Sequence, residues 1–287
     1  MAGPVALPRT LDEAVEALRA DPDALVIAGG TDLMVDINAG RCRPSTVVSL
    51  AHVDELRGWR REGDTVVIGA TTTYRELEQP DFAALVPALS QASRTVGSPQ
   101  IRNAATIGGN IGTASPAGDT LPVLAALDAT VDLVSAGDAR TVPLLDLVTG
   151  VKRTGIRPGE IVRAVRLPVL RGPQEFCKVG TRNAMVISVV MVALAVDLDG
   201  RSVRVGVGSA APTPVRARAA EAWVGERVDW DRGRLHDTHD AEEFGRQVAA
   251  ATQPIDDHRS TADYRRHAVA VCARRALART LTSGEQP

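Results

Sequence analysis

The amino-acid sequence predicts an α+β protein in two domains, and three observations support this. Up to residue 170, short β-branched strands alternate with short amphipathic helices. Glycine and proline cluster at Arg171-Gly172-Pro173, which is typical of a domain boundary. After this cluster, long alternating or β-branched runs are followed by helices. We therefore predict a first domain over residues 1–170, with lobes at about 1–55 and 56–170, and a second over 174–282.

The first lobe opens with a short amphipathic helix. Thr10 and Glu13 have the spacing of a capping box, and the helix is expected to end at the Asp21-Pro22 break. Two strands are predicted next, over residues 25–28 and 46–50. These elements indicate a small α/β unit.

The second lobe begins with a predicted strand over residues 65–70. Thr73 and Glu76 repeat the capping-box spacing ahead of a helical stretch that resumes at Phe82. Residues 97–118 contain five glycines and two prolines, a composition that supports neither an uninterrupted helix nor a long strand. A loop of this length inside a compact domain is usually functional. The lobe is completed by a helix over 121–127 and strands over 130–134 and 161–167.

The second domain is predicted to start as a meander of three strands, over residues 176–179, 186–198 and 203–207. Asp199-Gly200 has the composition of a hairpin turn between the last two. Helices are predicted at about 216–223, at about 240–251 and from 260 onwards. On the last helix, we expect the arginine side to be solvated, namely Arg265, Arg266, Arg274 and Arg275.

Composition and charge exclude several classes of protein. The chain is 44% hydrophobic and 24% charged, with a formal net charge of -2, so no global basic field attracts nucleic acid or an anionic membrane. The longest apolar run, residues 184–196, is too short for a membrane span, which needs about 20 residues. The N-terminus has no basic segment followed by an apolar one, so we predict no secretory signal and a cytoplasmic protein.

The cysteines predict no metal centre. Cys42, Cys177 and Cys272 are far apart, and the sequence has neither a CxxC motif nor histidines at metal-ligand spacing. We therefore expect no iron–sulfur cluster or zinc site in this chain. Of the 33 basic residues only Lys152 and Lys178 are lysine, which makes both positions worth examining.

The first candidate binding motif is IAGGTDL, residues 27–33. Glycines at the end of a strand remove side chains, so consecutive backbone N–H groups can turn toward an anion and a diphosphate can approach the main chain. The alternative is an ordinary turn in which Asp32 caps the segment that follows. The motif is neither the GxGxxG of a Rossmann fold nor a P-loop.

The second candidate, ATIGGNIGTASPAGDT at residues 105–120, is more specific. Gly108, Gly109 and Gly112 leave the backbone bare. The same segment carries hydrogen-bonding side chains of several geometries, on Thr106, Asn110, Thr113, Ser115 and Asp119. Such a set suits a polyhydroxylated ligand. The alternative is a surface loop with Asp119 as the N-cap of the helix at residue 121, and this role is compatible with a ligand contact.

Together, the two motifs resemble the flavin-binding subunit of the molybdenum hydroxylases, the xanthine dehydrogenase and carbon monoxide dehydrogenase family. The resemblance covers almost the whole chain. It also rests on segments that match the family in order, GSPQIRNAATIGGN (97–110), KVGTRNAMVIS (178–188), GSAAPTPVRA (208–217) and STADYRRHAVAVCARRAL (260–277).

The resemblance implies a fold and a cofactor. Two α/β lobes of the PCMH/vanillyl-alcohol-oxidase-like type would hold FAD between them, followed by a small α+β domain with a short antiparallel sheet and helices. Backbone N–H groups would cradle the diphosphate at Ala28, Gly29, Gly30, Thr31, Asp32 and Leu33. The diphosphate, ribityl chain and ring edge would be reached by Thr106, Gly109, Asn110, Thr113 and Asp119. Val162 would line the ring, and Lys178 would lie close to the isoalloxazine.

Lys178 has an alternative interpretation, that of a strand residue whose ammonium group extends to solvent. A cation near the flavin N1 and C2 carbonyl would stabilise negative charge on the reduced ring and raise its potential. Two departures from the family are visible. Ala184-Met185-Val186 stands where many relatives have an acidic residue after the methionine, and no aromatic residue in that segment could cover the flavin face. Met185 or an aliphatic side chain is then the candidate for that position.

The implied function is that of an FAD-binding electron-transfer subunit, which takes electrons from [2Fe–2S] clusters and passes them to NAD+ or another acceptor. Hydroxylation would occur on a separate molybdopterin subunit, and a small [2Fe–2S] subunit would connect the two. The chain would then need no catalytic acid or base. Its histidines are expected to be structural or surface residues, namely His52, His236, His239, His258 and His267.

Two alternatives stay open. A stand-alone FAD oxidoreductase would need a substrate pocket with a proton-handling residue, and neither motif contains a histidine or tyrosine. A flavin-free assembly subunit would have decayed motifs, whereas Gly109, Asn110 and Asp119 are present. A visible absorption spectrum of the purified chain distinguishes this second alternative from a flavoprotein.

Overall fold

The computed structural model describes residues 4–281. The predicted domain limits at residues 1 and 282 lie outside this range. The described residues form an α+β structure in which a small parallel sheet, a five-stranded antiparallel sheet and a four-stranded antiparallel sheet follow one another along the chain.

The first lobe is the predicted α/β unit. Its elements are β1 (Val5–Ala6), α1 (Leu11–Ala20), β2 (Leu25–Ile27), α2 (Leu33–Asn38) and β3 (Val47–Ser49), with strand order β1-β3-β2. Thr10 caps α1 as predicted, because its hydroxyl accepts a 3.1 Å hydrogen bond from the Glu13 N–H group. The apolar side of α1, with Ala14 and Leu18, packs on Val48 of the sheet. The lobe therefore holds the end of β2 against a small apolar core.

The second lobe is built on a five-stranded sheet. In chain order its elements are β4 (Trp59–Glu62), β5 (Thr65–Gly69), α3 (Tyr74–Leu77), α4 (Pro80–Ala83), α5 (Pro87–Thr95), α6 (Pro99–Ala104), α7 (Ile107–Thr113), α8 (Leu121–Ala126), β6 (Thr130–Ser135), β7 (Asp138–Pro143), α9 (Leu144–Leu147), β8 (Val148–Gly150), β9 (Arg153–Thr154) and β10 (Ile161–Pro168). The sheet order is β4-β5-β10-β6-β7, all antiparallel, and β8 pairs with β9. The helices lie against one face of this sheet and form the largest apolar core.

Two predictions for this lobe need correction. The helical stretch from Phe82 is interrupted, because Pro87 begins a new helix at its first position. The segment 97–118 is not a long loop, since it contains α6 and α7. Capping by Ser98 and Thr106 and burial of the apolar side of α7 outweigh the low helix propensity of its glycines.

The C-terminal part begins with the predicted meander. Its elements are β11 (Gln174–Gly180), β12 (Ser188–Asp197), β13 (Ser202–Gly208), β14 (Val215–Arg216), α10 (Arg218–Gly225), β15 (Val228–Asp229), β16 (Arg234–Leu235), α11 (Asp240–Ala250) and α12 (Ala262–Thr280). Strand β12 is buried on both faces. Met191 and Ala193 pack against the core of the second lobe, whereas Val192 and Leu194 pack against the C-terminal helices. This explains the uninterrupted apolar run, which is typical of a strand covered on both sides.

The predicted solvation of the arginine side of α12 is wrong for Arg265. Its side chain is 2% exposed, whereas Arg266, Arg274 and Arg275 are exposed as predicted. Arg265 precedes Ala268 and Cys272 by three and seven residues, which places it on the buried face of the helix. A charged group is tolerated there because backbone carbonyls and a carboxylate surround it.

Arg216 joins the second lobe to the C-terminal sheet. Its buried guanidinium makes a bidentate pair with Glu221 at 2.6 and 2.7 Å and donates to Asp128 and to the Ala125 carbonyl of α8. Glu221 also accepts a 2.8 Å hydrogen bond from the Val205 N–H group. Charge-assisted bonds of this bidentate kind are among the stronger polar contacts in proteins.

We predict that Glu221→Ala lowers the unfolding free energy by about 2 kcal/mol, because it leaves a buried N–H group without an acceptor and weakens the pairing of Arg216. Denaturant unfolding of the apoprotein measures this. Glu226→Ala, at the C-cap of the same helix, is the control because the Glu226 side chain is 82% exposed, and we expect a change within about 0.5 kcal/mol. Equal stabilities of the two variants would contradict the prediction.

Among the helices in residues 4–281, none combines the length and the apolarity that crossing a membrane requires. The apolar run of residues 184–196 forms most of strand β12 instead.

Candidate functional site

The first glycine motif presents a row of free backbone donors. Between the end of β2 and the start of α2, no acceptor within residues 4–281 receives a hydrogen bond from the N–H groups of Ala28, Gly29, Gly30, Thr31, Asp32 and Leu33. Gly30 has φ +71°, a left-handed conformation that glycine adopts without strain. Asp32 occupies the N-cap position of α2, but its side chain makes no capping hydrogen bond. The segment is therefore a turn whose donors remain available to a ligand.

The two glycine motifs are in direct contact. A Cβ atom on Gly29 would lie 1.8 Å from the Ala104 carbonyl oxygen, so only glycine allows this approach. The start of the second motif is held by the beginning of α3 and the residues before it. The Ala105 carbonyl accepts a 3.1 Å hydrogen bond from the Tyr74 N–H group, and the Ile107 N–H group donates one of 3.1 Å to the Thr72 carbonyl. The fold thus places side by side two segments that lie far apart in the sequence.

The glycines of α7 have two different functions. A Cβ atom on Gly108 would lie 2.7 Å from Ala70, so this glycine permits packing on the sheet. A Cβ atom on Gly109 would approach only the Thr106 hydroxyl, at 3.0 Å, and one on Gly112 would meet no atom within 4 Å. Gly109 and Gly112 therefore face space that a ligand could fill, whereas Gly108 does not.

The polar residues of the second motif partly bond to one another. The Thr106 hydroxyl accepts a 3.1 Å hydrogen bond from Gly109 N–H, and the Asn110 Oδ1 atom accepts one of 2.5 Å from the Thr120 hydroxyl. Thr113, at the end of α7, is half-buried. These bonds orient the Asn110 amide, which lies against Gly118 just before Asp119.

Asp119, at the end of the second motif, forms a buried ion pair with Lys178. The Lys178 Nζ atom lies 2.5 Å from Asp119 Oδ2 and donates a 3.0 Å hydrogen bond to the Thr95 carbonyl. The Thr95 hydroxyl donates to the same carboxylate oxygen at 3.2 Å. The two charged side chains are 8% and 6% exposed, so Lys178 does not extend to solvent. Its charge is shared with a carboxylate, which differs from the free cation expected beside the flavin.

Asp119 has one buried oxygen without a partner. Its Oδ1 atom receives no hydrogen bond from any group of residues 4–281. Burial raises the pKa of Asp119 to about 6, although Lys178 and Thr95 act to lower it. The expected N-cap role is wrong, because the N-cap of α8 is Thr120, whose side chain makes no capping hydrogen bond. A buried carboxylate oxygen that lacks a donor fits a ligand hydroxyl or N–H group.

Sequence reasoning missed Tyr74. Its ring is 2% exposed, and burial followed by the Asp119 charge raises the pKa of its phenol far above the ordinary value, so the phenol stays protonated. The available signal was its place beside the Thr73 cap, where Tyr74 is one of only two tyrosines in the chain. What the sequence does not show is that α3 packs on the second glycine motif.

A cavity of about 740 Å³ adjoins the ion pair. Lys178 and Thr95 contribute to one wall, and Gly97, Pro99, Arg102 and Met185 to others. Met185 is 55% exposed and has φ +48°. Within the described chain no aromatic residue lines this cavity, so Met185 stays the candidate for covering a planar ring.

Val162 lies in strand β10, beneath the second motif. It is 9% exposed and precedes Arg163, whose carbonyl accepts a 3.1 Å hydrogen bond from the N–H group of Ala70. Ala70 in turn packs on Gly108. Val162 is not part of the cavity wall beside Lys178.

The histidines take no part in this arrangement. All five are exposed, as predicted for surface residues, at positions His52, His236, His239, His258 and His267.

We predict that Asp119→Ala weakens FAD binding about 10- to 150-fold, because a charge-assisted hydrogen bond worth roughly 1.5 to 3 kcal/mol is lost. Asp119→Asn should lose less. Protonation removes the same acceptor, so the FAD affinity of the wild type should fall as the pH drops through about 6. Titration of the apoprotein with FAD between about pH 5 and pH 8 measures both effects.

The folding stability of the apoprotein should depend on pH in the opposite direction to the FAD affinity. The folded pKa of Asp119 lies above its ordinary value of 3.8, so the stability from this group is present below about pH 4 and is lost as the pH rises through about 6. Asp119→Asn, which does not titrate, should flatten both profiles. An unchanged FAD affinity in the alanine variant would contradict the ligand role.

These features, together with two family models, place the chain in the class of FAD-binding oxidoreductase subunits. Residues 2–170 match the family model for the FAD binding domain in molybdopterin dehydrogenase, and residues 175–280 match the CO dehydrogenase flavoprotein C-terminal domain. The chain is 32% identical over 273 residues to the glyceraldehyde dehydrogenase medium chain of Sulfolobus acidocaldarius, covering 93% of this chain and 94% of that one. It is also 32% identical over 286 residues to the carbon monoxide dehydrogenase medium chain of Afipia carboxidovorans, covering 95% and 94%.

Solved structures agree with these matches. A chain of the carbon monoxide dehydrogenase from Hydrogenophaga pseudoflava superposes with a TM-score of 0.87 at 28% identity, covering 96% of each chain. The protein therefore belongs to the family of FAD-binding subunits of the molybdenum hydroxylases. FAD is its cofactor, and the predicted two-part α+β fold is confirmed.

Proposed function

We propose that this chain is the electron-transfer subunit of a molybdenum hydroxylase, taking electrons from [2Fe–2S] clusters and passing them through FAD to NAD+ or another acceptor. The observation that carries the proposal is the contact of the free N–H row, at Gly29, with Ala104 at the start of the second motif, whose other end carries the buried Asp119–Lys178 pair. A row of backbone donors suits a diphosphate, and a buried carboxylate suits a hydroxyl or ring donor. FAD supplies the ability to exchange electrons singly or as a pair.

Each part of the site has a proposed role toward FAD. The backbone of residues 28–33 binds the diphosphate, and glycine there keeps side chains out of its way. Thr106, Gly109, Asn110 and Thr113 border the space into which the diphosphate and ribityl chain fit. Asp119 accepts a hydrogen bond at Oδ1, and Val162 supports the sheet below the ring.

Lys178 orients Asp119 and keeps it ionised against the cost of burial. Because the two charges largely compensate each other, the pair adds little net charge beside the ring. The cavity beside Lys178 is the proposed place of the isoalloxazine, with Met185 over one face. Tyr74, kept protonated by burial, lies behind the site, where its N–H group holds the Ala105 carbonyl.

We propose two partner subunits, a small one with [2Fe–2S] clusters and a large one with molybdopterin. The similar chains are named medium chains, which implies both larger and smaller companions. Those relatives are named for glyceraldehyde and carbon monoxide, so similar flavin subunits serve unrelated substrates. We infer that the substrate is selected by another subunit and that this chain needs no substrate-handling acid or base.

We also propose that the two domains meet at Arg171-Gly172-Pro173, which lies between β10 and β11. The cytoplasm is the proposed location. Cys177 and Cys272 are neighbouring free thiols, a state that suits a reducing compartment.

The proposal is tested first on the isolated chain. It should bind about one FAD per chain, as both glycine motifs are complete, and should show little dehydrogenase activity alone. A purified chain without visible flavin absorption would favour the flavin-free alternative. Oxidation of an organic substrate by the FAD-loaded chain alone, at about 1 to 1000 per second, would favour the stand-alone oxidoreductase.

Co-expression with the adjacent genes tests the partners. We expect a complex that contains molybdenum and iron as well as FAD, and in which substrate bleaches the flavin absorbance. Recovery of the chain without partners under these conditions would contradict the assignment of an electron-transfer subunit.

A further inference from the structure

Ser209 has an unfavourable backbone conformation at a buried position. It follows the last residue of β13, has φ +61° and is 7% exposed. Residues other than glycine rarely adopt this left-handed conformation, and buried instances concentrate at functional sites. Glycine would relieve the strain here, so the serine hydroxyl needs a separate explanation.

The contacts of Ser209 lead to the second glycine motif. Its N–H group donates a 2.9 Å hydrogen bond to the Pro116 carbonyl, and its hydroxyl lies 3.4 Å from the same oxygen. The hydroxyl also lies 2.7 Å from that of Ser188, at the start of β12. Pro116 belongs to a turn closed by a 2.8 Å hydrogen bond from Gly118 N–H to the Ser115 carbonyl. Asp119 follows this turn directly.

Arg265 holds Ser209 from the other side. Its Nη1 atom donates to the Ser209 carbonyl at 2.6 Å and to the Val189 carbonyl at 3.0 Å, and its Nη2 atom donates to Asp257 at 2.7 Å. The guanidinium is buried, so these bonds are not exchanged for bonds to bulk water. A continuous path therefore runs from α12 through Ser209 and Pro116 to Asp119.

We propose that Arg265 and Ser209 are positioning residues for FAD. They hold the turn at residues 115–118 so that Asp119 Oδ1 and the Asn110 amide face the cofactor. Neither side chain touches the proposed flavin space. This inference rests on the proposed function, and it makes the C-terminal helix a determinant of flavin affinity.

Ser209→Gly separates positioning from folding. The variant relieves the backbone strain but also removes the hydroxyl that pairs with the buried Ser188, and because these two effects oppose each other the apoprotein should unfold close to the wild-type temperature. FAD should bind about tenfold more weakly and dissociate faster, because the turn loses one of its two restraints. Both constants are measured by flavin fluorescence on the full chain. An unchanged FAD affinity would overturn the role of Ser209.

Arg265→Met tests the other end of the path. The control on the same helix is Arg266→Met, because Arg266 is exposed and, among residues 4–281, pairs with Asp263 alone. A second control is Phe244→Leu, which weakens the same helical core without touching Ser209. We compare FAD affinities after allowing for the loss of melting temperature in each variant. For the same loss, Arg265→Met should weaken FAD binding at least tenfold more than Phe244→Leu does. Arg265→Lys should bind FAD more tightly than Arg265→Met, because it keeps a positive charge at this position.

The outcomes separate the two proposals. If wild-type protein binds no FAD, the proposed function fails. If the wild type binds FAD and Arg265→Met behaves as Phe244→Leu does, only the positioning role fails. If Arg265→Met does not fold, Ser209→Gly alone decides.

Discussion

Gly29→Ala is expected to abolish FAD binding and to lower the unfolding free energy of the apoprotein by about 4 kcal/mol. The added Cβ atom would lie 1.8 Å from the Ala104 carbonyl oxygen and 3.0 Å from the Ala105 nitrogen. Backbone atoms cannot rotate away as a flexible side chain can, so the two glycine motifs must separate. Flavin content after purification and denaturant unfolding measure the two effects.

Two glycines provide matched controls for Gly29. Gly225→Ala, at the end of α10, places its Cβ atom in open space and should change neither property. Gly109→Val should reduce FAD binding strongly, while the apoprotein should lose only about 1 kcal/mol or less, because valine has a better helix propensity than glycine and the added Cβ atom meets only the Thr106 hydroxyl. The reason is that its side chain enters the proposed ligand space rather than the protein core. Full flavin retention in the Gly109 variant would show that the second motif is misassigned.

Lys178→Met is expected to lower the unfolding free energy at neutral pH by about 3 to 5 kcal/mol and to weaken FAD binding at least 100-fold. The Asp119 carboxylate would stay buried, with the Thr95 hydroxyl as its remaining donor. Thermal unfolding and FAD titration measure these changes. Lys152→Met, at the other lysine of the chain, is the control because that residue is exposed.

The double variant Lys178→Met with Asp119→Asn distinguishes stability from binding. Removing both charges together should restore most of the lost stability, because a buried ion pair contributes little compared with an uncharged replacement. FAD affinity should stay low, since the charged acceptor at Asp119 is gone. Recovery of FAD affinity in the double variant would show that the pair acts only on the fold.

Local features of the fold were predictable from the sequence. The capping boxes at Thr10 and Thr73 involve residues three apart, so their hydrogen bonds depend on the local chain alone. The β12–β13 hairpin likewise joins neighbouring segments. Predictions went wrong where tertiary burial decided, as in α7, whose glycines disfavour a helix until its apolar side is buried.

The candidate site was predictable as a set of residues but not as an arrangement. Asp119 and Lys178 were chosen from separate motifs, and no local rule pairs residues 59 positions apart. The same holds for Tyr74, which enters the site only because α3 packs on residues 105 and 106. Arg265 was predicted to be solvated because it was grouped with the other arginines of its helix. It is buried because it lies on the inner side of that helix, facing the ends of two strands.

The sequence by itself determined the family, the two glycine motifs and local elements such as the capped helix α1 and the β12–β13 hairpin, because these depend on residue identity and short-range spacing. Three contacts were decided only by the tertiary structure. They are the packing of Gly29 against Ala104, the ion pair of Lys178 with Asp119, and the hydrogen bond from Ser209 N–H to the Pro116 carbonyl. The first contact joins the two lobes, and the other two join the second lobe to the C-terminal part. Their energies depend on burial, which strengthens a hydrogen bond and raises the cost of an unpaired charge. Burial is a property of the packed chain, so the chemistry of this site exists only after the lobes and the C-terminal sheet have come together.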